Sequence, residues 1–316
     1  MPSYWQILLL VLPVFALMAL GVALRRVRWL TAEADESLLK LVVNVLYPCL
    51  ILDHVPANAA LRDPANLAWA PVVGFATMAL GIGACYYAAR LLGFTVGTGL
   101  RTFAFAAGIY NYSYITVPLM TELFGPDSLG VLFVHNVGAE AAIWTVGVLV
   151  LAGQSWRKGW RKLVSPPMAA LVLAVALNLS GLGAHLPAAA LTVVHALAVC
   201  AIPLGLVLSG ATMAEHLFDR PRELFEARTA LAAVALRLGL LPALFLLLAH
   251  YGPFSADLRH VLVAQAGMPA AFLPLVLVKF YGGHQLTAVR IVLATVVASV
   301  LLLPWWLHWG LAWTGG

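Results

Sequence analysis

The chain has 316 residues, of which 63% are hydrophobic and only 10% are charged. A soluble domain carries about half apolar and about 25% charged residues, so this composition excludes an ordinary water-soluble fold and indicates lipid as the main solvent. The net charge of +5 does not indicate a nucleic-acid partner, because the basic residues form no long stripe with interleaved aromatic residues.

Ten apolar segments follow one another along the chain, separated by breaks too short to hold a soluble domain. Each is close to the roughly 20 residues that a helix needs to cross the hydrocarbon core of a bilayer. We therefore predict an all-α polytopic membrane protein. Its spans, numbered one to ten, cover residues 5–24, 37–55, 67–92, 101–124, 127–152, 163–181, 188–214, 228–250, 257–281 and 286–311.

The distribution of Lys and Arg predicts the orientation, because cationic side chains are retained on the cytoplasmic side. With the N-terminus outside, Arg62 and Arg259 fall in outer loops and Arg237 falls inside a span. The other fifteen fall in inner loops or at the adjoining helix ends: Arg25, Arg26, Arg28, Lys40, Arg90, Arg101, Arg157, Lys158, Arg161, Lys162, Arg220, Arg222, Arg228, Lys279 and Arg290. This asymmetry predicts a protein of the inner (plasma) membrane with both termini outside.

The two halves of the chain carry three matches in the same order, at offsets of 153, 155 and 156 residues. The matched pairs are 13–24 with 166–177, 45–52 with 200–207, and 114–119 with 270–275. We divide the chain into a first repeat of residues 1–152, a basic cytoplasmic linker of residues 153–162 and a second repeat of residues 163–316. Since five spans is an odd number, the repeats are inverted, an arrangement that belongs mostly to secondary transporters.

Spans four and nine carry polar stretches marked by Gly and Pro at corresponding places of the two repeats. A proline removes a backbone donor and frees a carbonyl one turn back, and irregular backbone at this depth needs protein or a water-filled cavity around it. Matched interruptions are the best sequence indicator of a transporter's binding site, and we predict helix breaks at Pro118, Pro269 and Pro274. The alternative is that the prolines are ordinary kinks and the polar residues join helices.

Two broken helices suit a small organic anion as substrate. The second half of each broken helix exposes free N–H groups and a positive dipole end, which together hold a carboxylate. Neutral polar side chains add hydrogen bonds without placing a charge in lipid. The predicted substrate-binding residues are Asn111, Tyr112, Ser113, Thr116, Asn136, Gln265, Gly267, Met268 and Pro269. We predict no metal and no cofactor.

Two full charges lie deep in the predicted spans, Glu140 in span five and Arg237 in span eight. Such residues are costly in hydrocarbon, face the protein interior and often pair. Two interpretations stay open. Glu140 and Arg237 form a structural ion pair within one bundle, or Glu140 carries a proton, which makes the proton a candidate coupling ion.

These segments resemble the auxin efflux carrier family, whose members include plant auxin exporters and bacterial malate or malonate permeases, over nearly the whole chain. The run 269–281, with two prolines five residues apart followed by Lys279 and Tyr281, is similar to the family's span nine. The resemblance extends to Asn111 as the crossover residue of span four, to Arg237 with Pro242 in span eight, and to Asn136 with Trp144 in span five.

The resemblance implies transport of carboxylates such as malate-like, malonate-like or auxin-like acids where spans four and nine cross. It implies a scaffold of residues 1–55 and 163–214, which also makes a homodimer contact. It further implies a transport domain of residues 67–152 and 228–311, which slides against the scaffold like an elevator.

Some positions depart from the family pattern and bear on the substrate more than on the fold. Ser113 and Thr116 stand where bacterial members carry glycines, and Tyr110 stands where plant members carry proline. Glu140 has no counterpart in that pattern.

Three alternatives remain beside a transporter of organic anions. A sodium-coupled carrier of the bile-acid symporter type needs a cluster of oxygen ligands beside the crossing, for which only Glu140 is a good candidate. An intramembrane enzyme needs a catalytic motif such as HExxH or GxSxG, and neither occurs. A membrane sensor usually carries a soluble output domain, and the loops are too short for one. We therefore predict a transporter and no enzymatic activity.

Overall fold

The computed structural model describes residues 2–153, 165–219 and 226–315. Within these ranges the chain is helical, with no strand and a single isolated antiparallel bridge. The predicted linker lies outside the described residues from residue 154 onward. The same holds for six of the cations used to predict the orientation, Arg157, Lys158, Arg161, Lys162, Arg220 and Arg222.

Seven of the described helices are long and apolar enough to cross a membrane. They are α1 (Tyr4–Arg26), α2 (Ala32–His54), α3 (Pro64–Leu91), α5 (Thr116–Ala152), α7 (Ala188–Asp219), α8 (Ala227–Tyr251) and α11 (Gln285–Thr314). Shorter helices complete the fold: α4 (Leu100–Gly108), α6 (Pro166–Leu179), α9 (Ala256–Ala266) and α10 (Leu273–Phe280). The chain is therefore a multi-pass membrane protein.

Helix α5 joins two predicted spans through a sharp kink. The sequence predicts that span four ends at 124 and that span five begins at 127, and the structure continues the helix across this point apart from Gly125. Gly125 has φ 78° and ψ −175°, a backbone conformation that only glycine adopts readily. Pro126 follows it, so the chain turns there without a separate loop.

Three π-helical turns widen the long helices, at Val42–Leu46 in α2, Ile143–Gly147 in α5 and Leu236–Leu240 in α8. Two of them lie directly before a proline, Pro48 and Pro242. The ring of a helical proline clashes with the carbonyl one turn earlier, so the backbone is expected to widen at that place. Turns of this kind often mark functional sites.

The helices pack in two groups. In the first group α7 packs on α1 and α2, and α2 also packs on α6. In the second group α5 packs on α3 and α9, α3 packs on α4, and α8 packs on α9 and α11. Contacts between α1 and α11 join the groups. The predicted scaffold covers the helices of the first group, and the predicted transport domain covers those of the second; this division and the relative motion of the two domains stay predictions.

Glycines set the closest helix contacts within each group. A Cβ on Gly138 of α5 would lie 1.7 Å from the Pro71 carbonyl oxygen of α3, and one on Gly74 would lie 2.0 Å from the His135 carbonyl oxygen. A Cβ on Gly21 of α1 would meet α7 in the same way, at 1.9 Å. In a membrane the lipid is as apolar as the helix surface, so close packing between small residues drives association.

Connecting segments predicted to lie on the same face of the membrane contact one another. At one end of the bundle the Asn178 side chain donates to the Asn58 carbonyl oxygen at 2.8 Å, and Asn58 donates to the Pro126 carbonyl oxygen at 2.7 Å. At the other end Arg290 forms an ion pair with Glu226. The first set lies at the predicted outer ends of the spans and in outer loops, and the pair lies at the predicted inner end.

The contact between α3 and α5 is testable by adding one methyl group. Gly138→Ala places a Cβ against the Pro71 backbone, and such overpacking costs about 1–3 kcal/mol. We expect a lower melting temperature for the purified protein in detergent. Gly239→Ala is the matched control, because no atom lies within 4 Å of its added Cβ. Equal melting temperatures for the two variants would contradict the packing described here.

Candidate functional site

Two helix interruptions meet at the centre of the second helix group. Helix α4 ends at Gly108 before α5 begins, and α9 ends at Ala266 before α10 begins. The segments between them, 109–115 and 267–272, run antiparallel and exchange two backbone hydrogen bonds. The Asn111 N–H donates to the Pro269 carbonyl oxygen at 2.8 Å, and the Ala271 N–H donates to the Ile109 carbonyl oxygen at 2.9 Å. We call these paired segments the crossing.

The prolines predicted as break points occupy two different positions. Pro269 lies inside the crossing, where its carbonyl accepts the Asn111 N–H. Pro118 and Pro274 lie in the first turns of α5 and α10. The missing N–H costs nothing in a first turn, because the first four N–H groups of a helix have no partner within it. These two prolines therefore mark where each helix resumes after the break.

Polar side chains satisfy the irregular backbone of the crossing. The Tyr112 carbonyl oxygen accepts from Gln265 Nε2 at 3.2 Å and from Asn136 Nδ2 at 3.0 Å. Thr116 Oγ1 donates to the Asn111 carbonyl oxygen at 2.7 Å. A buried carbonyl without a partner would cost about 1–3 kcal/mol. Three of the residues predicted to bind substrate therefore hold the crossing in shape.

Arg237 is fully buried beside the crossing and contacts the C-terminal end of α9. Its guanidinium donates to the Ala266 carbonyl oxygen at 3.3 Å and lies 5.3 Å from the ring centroid of Tyr110 and 5.5 Å from that of Phe245. A cation at a helix C-terminus is stabilised by the helix dipole, and aromatic faces attract it further. The structure forms no ion pair between Arg237 and Glu140, so it does not adopt the pairing interpretation.

A cavity of about 220 Å³ lies on the other side of the crossing, between the two helix groups. Asn111, Tyr112 and Ser113, three of the residues predicted to bind substrate, line it, and so does Glu140. The remaining lining residues come from α2, α5, the start of α6, both interruptions and the start of α10: Val43, Tyr47, Tyr114, Trp144, Ser165, Pro167, Ala271, Phe272 and Leu273. Two π-helical turns contribute to this wall, through Val43 and Trp144.

Several residues predicted to bind substrate lie away from this cavity. Thr116, Gln265, Gly267, Met268 and Pro269 are absent from its wall, and a Cβ on Gly267 would meet α11 instead. Asn136 lines a smaller adjoining cavity that shares Glu140 and Tyr47 with the first.

The sequence prediction missed the aromatic wall formed by Tyr47, Tyr114, Trp144 and Phe272. One signal for it exists in the sequence, since Trp144 lies four residues after Glu140 and therefore shares its helix face.

The electrostatic character of the cavity has two parts. The Asn111 side chain is 3% exposed, and its Nδ2 donor has no hydrogen-bond partner. The N-terminal ends of α5 and α10 adjoin the same cavity, and each carries a positive dipole end. The second part is the Glu140 carboxyl group, an acidic group that lines the same cavity. No described Lys, Arg or His side chain lines the cavity.

The crossing touches the first helix group at two places. Ser113 Oγ donates to Tyr47 Oη of α2 at 2.7 Å. The Tyr114 ring packs against α7 at Gly205, where an added Cβ would lie 2.2 Å from a ring carbon. Both contacts are side-chain contacts without backbone pairing.

Comparison with known proteins matches residues 6–307 of the chain to one family. A family model described as a membrane transport protein matches residues 6–158 and, a second time, residues 155–307. The double match agrees with the internal repeat. The chain is also 27% identical over 302 residues to a protein from Methanothermobacter thermautotrophicus described as an uncharacterized transporter, covering 94% of this chain and 96% of that relative.

Proposed function

We propose that this chain, which belongs to the auxin efflux carrier family of membrane transport proteins, is a secondary transporter that carries small organic anions through the cavity at the crossing. The observation that supports this most directly is the unpartnered Nδ2 donor of Asn111, which is buried at the cavity beside two helix N-termini. A buried donor without a partner is costly, and a carboxylate oxygen in the cavity would satisfy it.

The size and walls of the cavity favour a small carboxylate. Pockets for drug-sized ligands measure about 300–1,000 Å³, so a cavity of about 220 Å³ suits a small metabolite. Asn111 and the helix N-termini would hold the carboxylate, while the apolar and aromatic wall covers the rest of the molecule. Malate-like, malonate-like and auxin-like acids are the candidates that the family suggests.

The proposed mechanism is an elevator movement. Helices α1, α2, α6 and α7 would form the scaffold, which also makes a homodimer contact, and the other helices would carry the crossing past it. The position of the cavity between the two helix groups supports this proposal, as do the side-chain contacts that hold the crossing to α2 and α7. Such contacts can break and re-form without disturbing the backbone of either group.

The proposed topology has ten passes through the plasma membrane with both termini outside. Helix α4 with residues 116–124 would make one pass, residues 126–152 would make the next, and α9 with α10 would make another. The contacts at the predicted outer ends of the helices and the ion pair at the predicted inner end support this assignment. The cavity reaches Ser165, which follows the predicted cytoplasmic linker, so the structure would be an inward-facing state.

The orientation is tested by a single cysteine in the linker. In a chain whose own cysteines, Cys49, Cys85 and Cys200, are replaced, Arg157→Cys should react with a membrane-impermeant maleimide only from the cytoplasm, because cations are retained on that side. Ala59→Cys, in a predicted outer loop, is the matched control and should react only from outside. Labelling of Arg157→Cys in intact cells would refute the orientation.

The binding site is tested by Asn111→Ala, which removes the free donor and also the side-chain oxygen that accepts the Ile115 N–H at 3.3 Å. We expect loss of carboxylate uptake into proteoliposomes, with the folded protein retained on gel filtration. Asn44→Ala is the control, since Asn44 is exposed on α2 and should tolerate the change. Wild-type uptake by Asn111→Ala would place the binding site elsewhere.

The elevator movement is tested by joining the helix groups away from the cavity. The Tyr4 hydroxyl of α1 donates to the Leu301 carbonyl oxygen of α11 at 3.2 Å. Cysteines at these two positions, joined by a short bifunctional thiosulfonate, should stop uptake until a reductant is added. The control pair, Asn66 and Ser255, lies within the second group, with side chains 2.5 Å apart. Unimpaired uptake by the joined Tyr4–Leu301 protein would contradict the elevator mechanism.

A further inference from the structure

The cavity at the crossing contains a carboxyl group whose presence an anionic substrate does not explain. Glu140 lines it, and no described Lys, Arg or His does. Arg237, the buried cation of this region, contacts the C-terminal end of α9 and is absent from the cavity wall. A second carboxylate placed beside Glu140 would be repelled, and low dielectric strengthens that repulsion. A positive charge on the molecule that enters the cavity would balance an ionised Glu140.

Glu140 lies within reach of a molecule held by Asn111. Asn136 Nδ2 contacts the Tyr112 carbonyl oxygen at 3.0 Å, which fixes that turn of α5 against the crossing. Glu140 is four residues further on, one turn and about 6 Å along the same helix face. Both Glu140 and Asn111 line the one cavity. A small molecule can therefore contact the donor at one end and the carboxylate at the other.

The wall around Glu140 is suited to an organic cation. Tyr47, Tyr112 and Trp144 line the cavity together with it. Aromatic faces attract ammonium groups, and the attraction strengthens when the site is shielded from water. If Glu140 bound only a proton, it would not require these aromatic neighbours. Val43, Phe272 and Leu273 add apolar surface for the rest of the substrate.

We propose that the substrate is a small zwitterionic aminocarboxylate with an apolar side chain. Its carboxylate accepts from Asn111 Nδ2 beside the helix N-termini, and its ammonium group lies between Glu140 and the aromatic wall. The bound molecule carries no net charge and satisfies both the free donor and the carboxylate. This inference rests on the proposed function. It narrows the substrate from organic anions in general to carboxylates that also carry an ammonium group.

The test compares amino acids with the same acids lacking the amino group. The pairs are alanine with propionate, valine with isovalerate, leucine with isocaproate, and phenylalanine with hydrocinnamate. Binding to the purified protein is measured by thermal shift, and transport by exchange in proteoliposomes. We expect wild-type protein to favour at least one amino acid over its partner by about tenfold or more, as one charge-assisted contact would give.

Glu140→Gln should remove this preference and leave the weaker binding of the deaminated acid unchanged or improved. Glu122→Gln is the matched control, because it removes an exposed carboxylate of the same helix away from the cavity. It should keep the wild-type preference. Asn111→Ala should weaken both members of each pair, because both carry the carboxylate.

Three results would overturn the inference while leaving carboxylate transport intact. In the first, the deaminated acids bind wild-type protein as tightly as the amino acids. In the second, Glu140→Gln keeps the preference for the amino acid. In the third, Glu140→Gln still exchanges plain carboxylates and loses only the response to a pH gradient, which would make Glu140 a proton carrier. If no carboxylate of either kind moves, both the inference and the proposed function fail.

Discussion

The structure depends on two broken helices that satisfy each other's backbone. In hydrocarbon an unpaired N–H or carbonyl costs several kcal/mol, so a single interruption would be unstable. The exchange of hydrogen bonds between Asn111 and Pro269 and between Ile109 and Ala271 removes that cost at both interruptions. Neither interruption would be stable without the other, which explains why a matched pair occurs in the two repeats.

The two sides of the crossing also differ in their electrostatic environment. At the end of α9, Arg237 stabilises the negative end of the helix dipole, and two aromatic rings lie beside its guanidinium. At the start of α5 and α10 the positive ends adjoin a cavity, together with the Asn111 donor. One side of the crossing is thus closed by protein groups, and the other side is left for a ligand. In our proposal, Glu140 would favour a ligand that carries a positive charge of its own.

Helices pack closely within each of the two groups, and weaker contacts hold the crossing to the first group. Glycines let backbones touch inside each group, as Gly138 does against Pro71 and as Gly21 does against α7. Between the crossing and the first group the contacts are a hydroxyl pair and an aromatic ring on a glycine. Groups joined by contacts of this kind suit the proposed movement, which would carry the crossing past the first group.

The sequence by itself determined the membrane class, the internal repeat, the family and the two segments that break. The reason is that apolar length, proline positions and repeated order are visible along the chain without knowledge of the packing. Only the tertiary structure decided the role of each polar residue. Thr116 and Gln265 support the backbone, Tyr47 and Trp144 line the cavity, and Glu140 stands apart from Arg237. The physical reason is that lipid and protein interior are equally apolar. A membrane helix therefore carries little pattern in its sequence to show which face meets its neighbours, and the packing of the helices decides it.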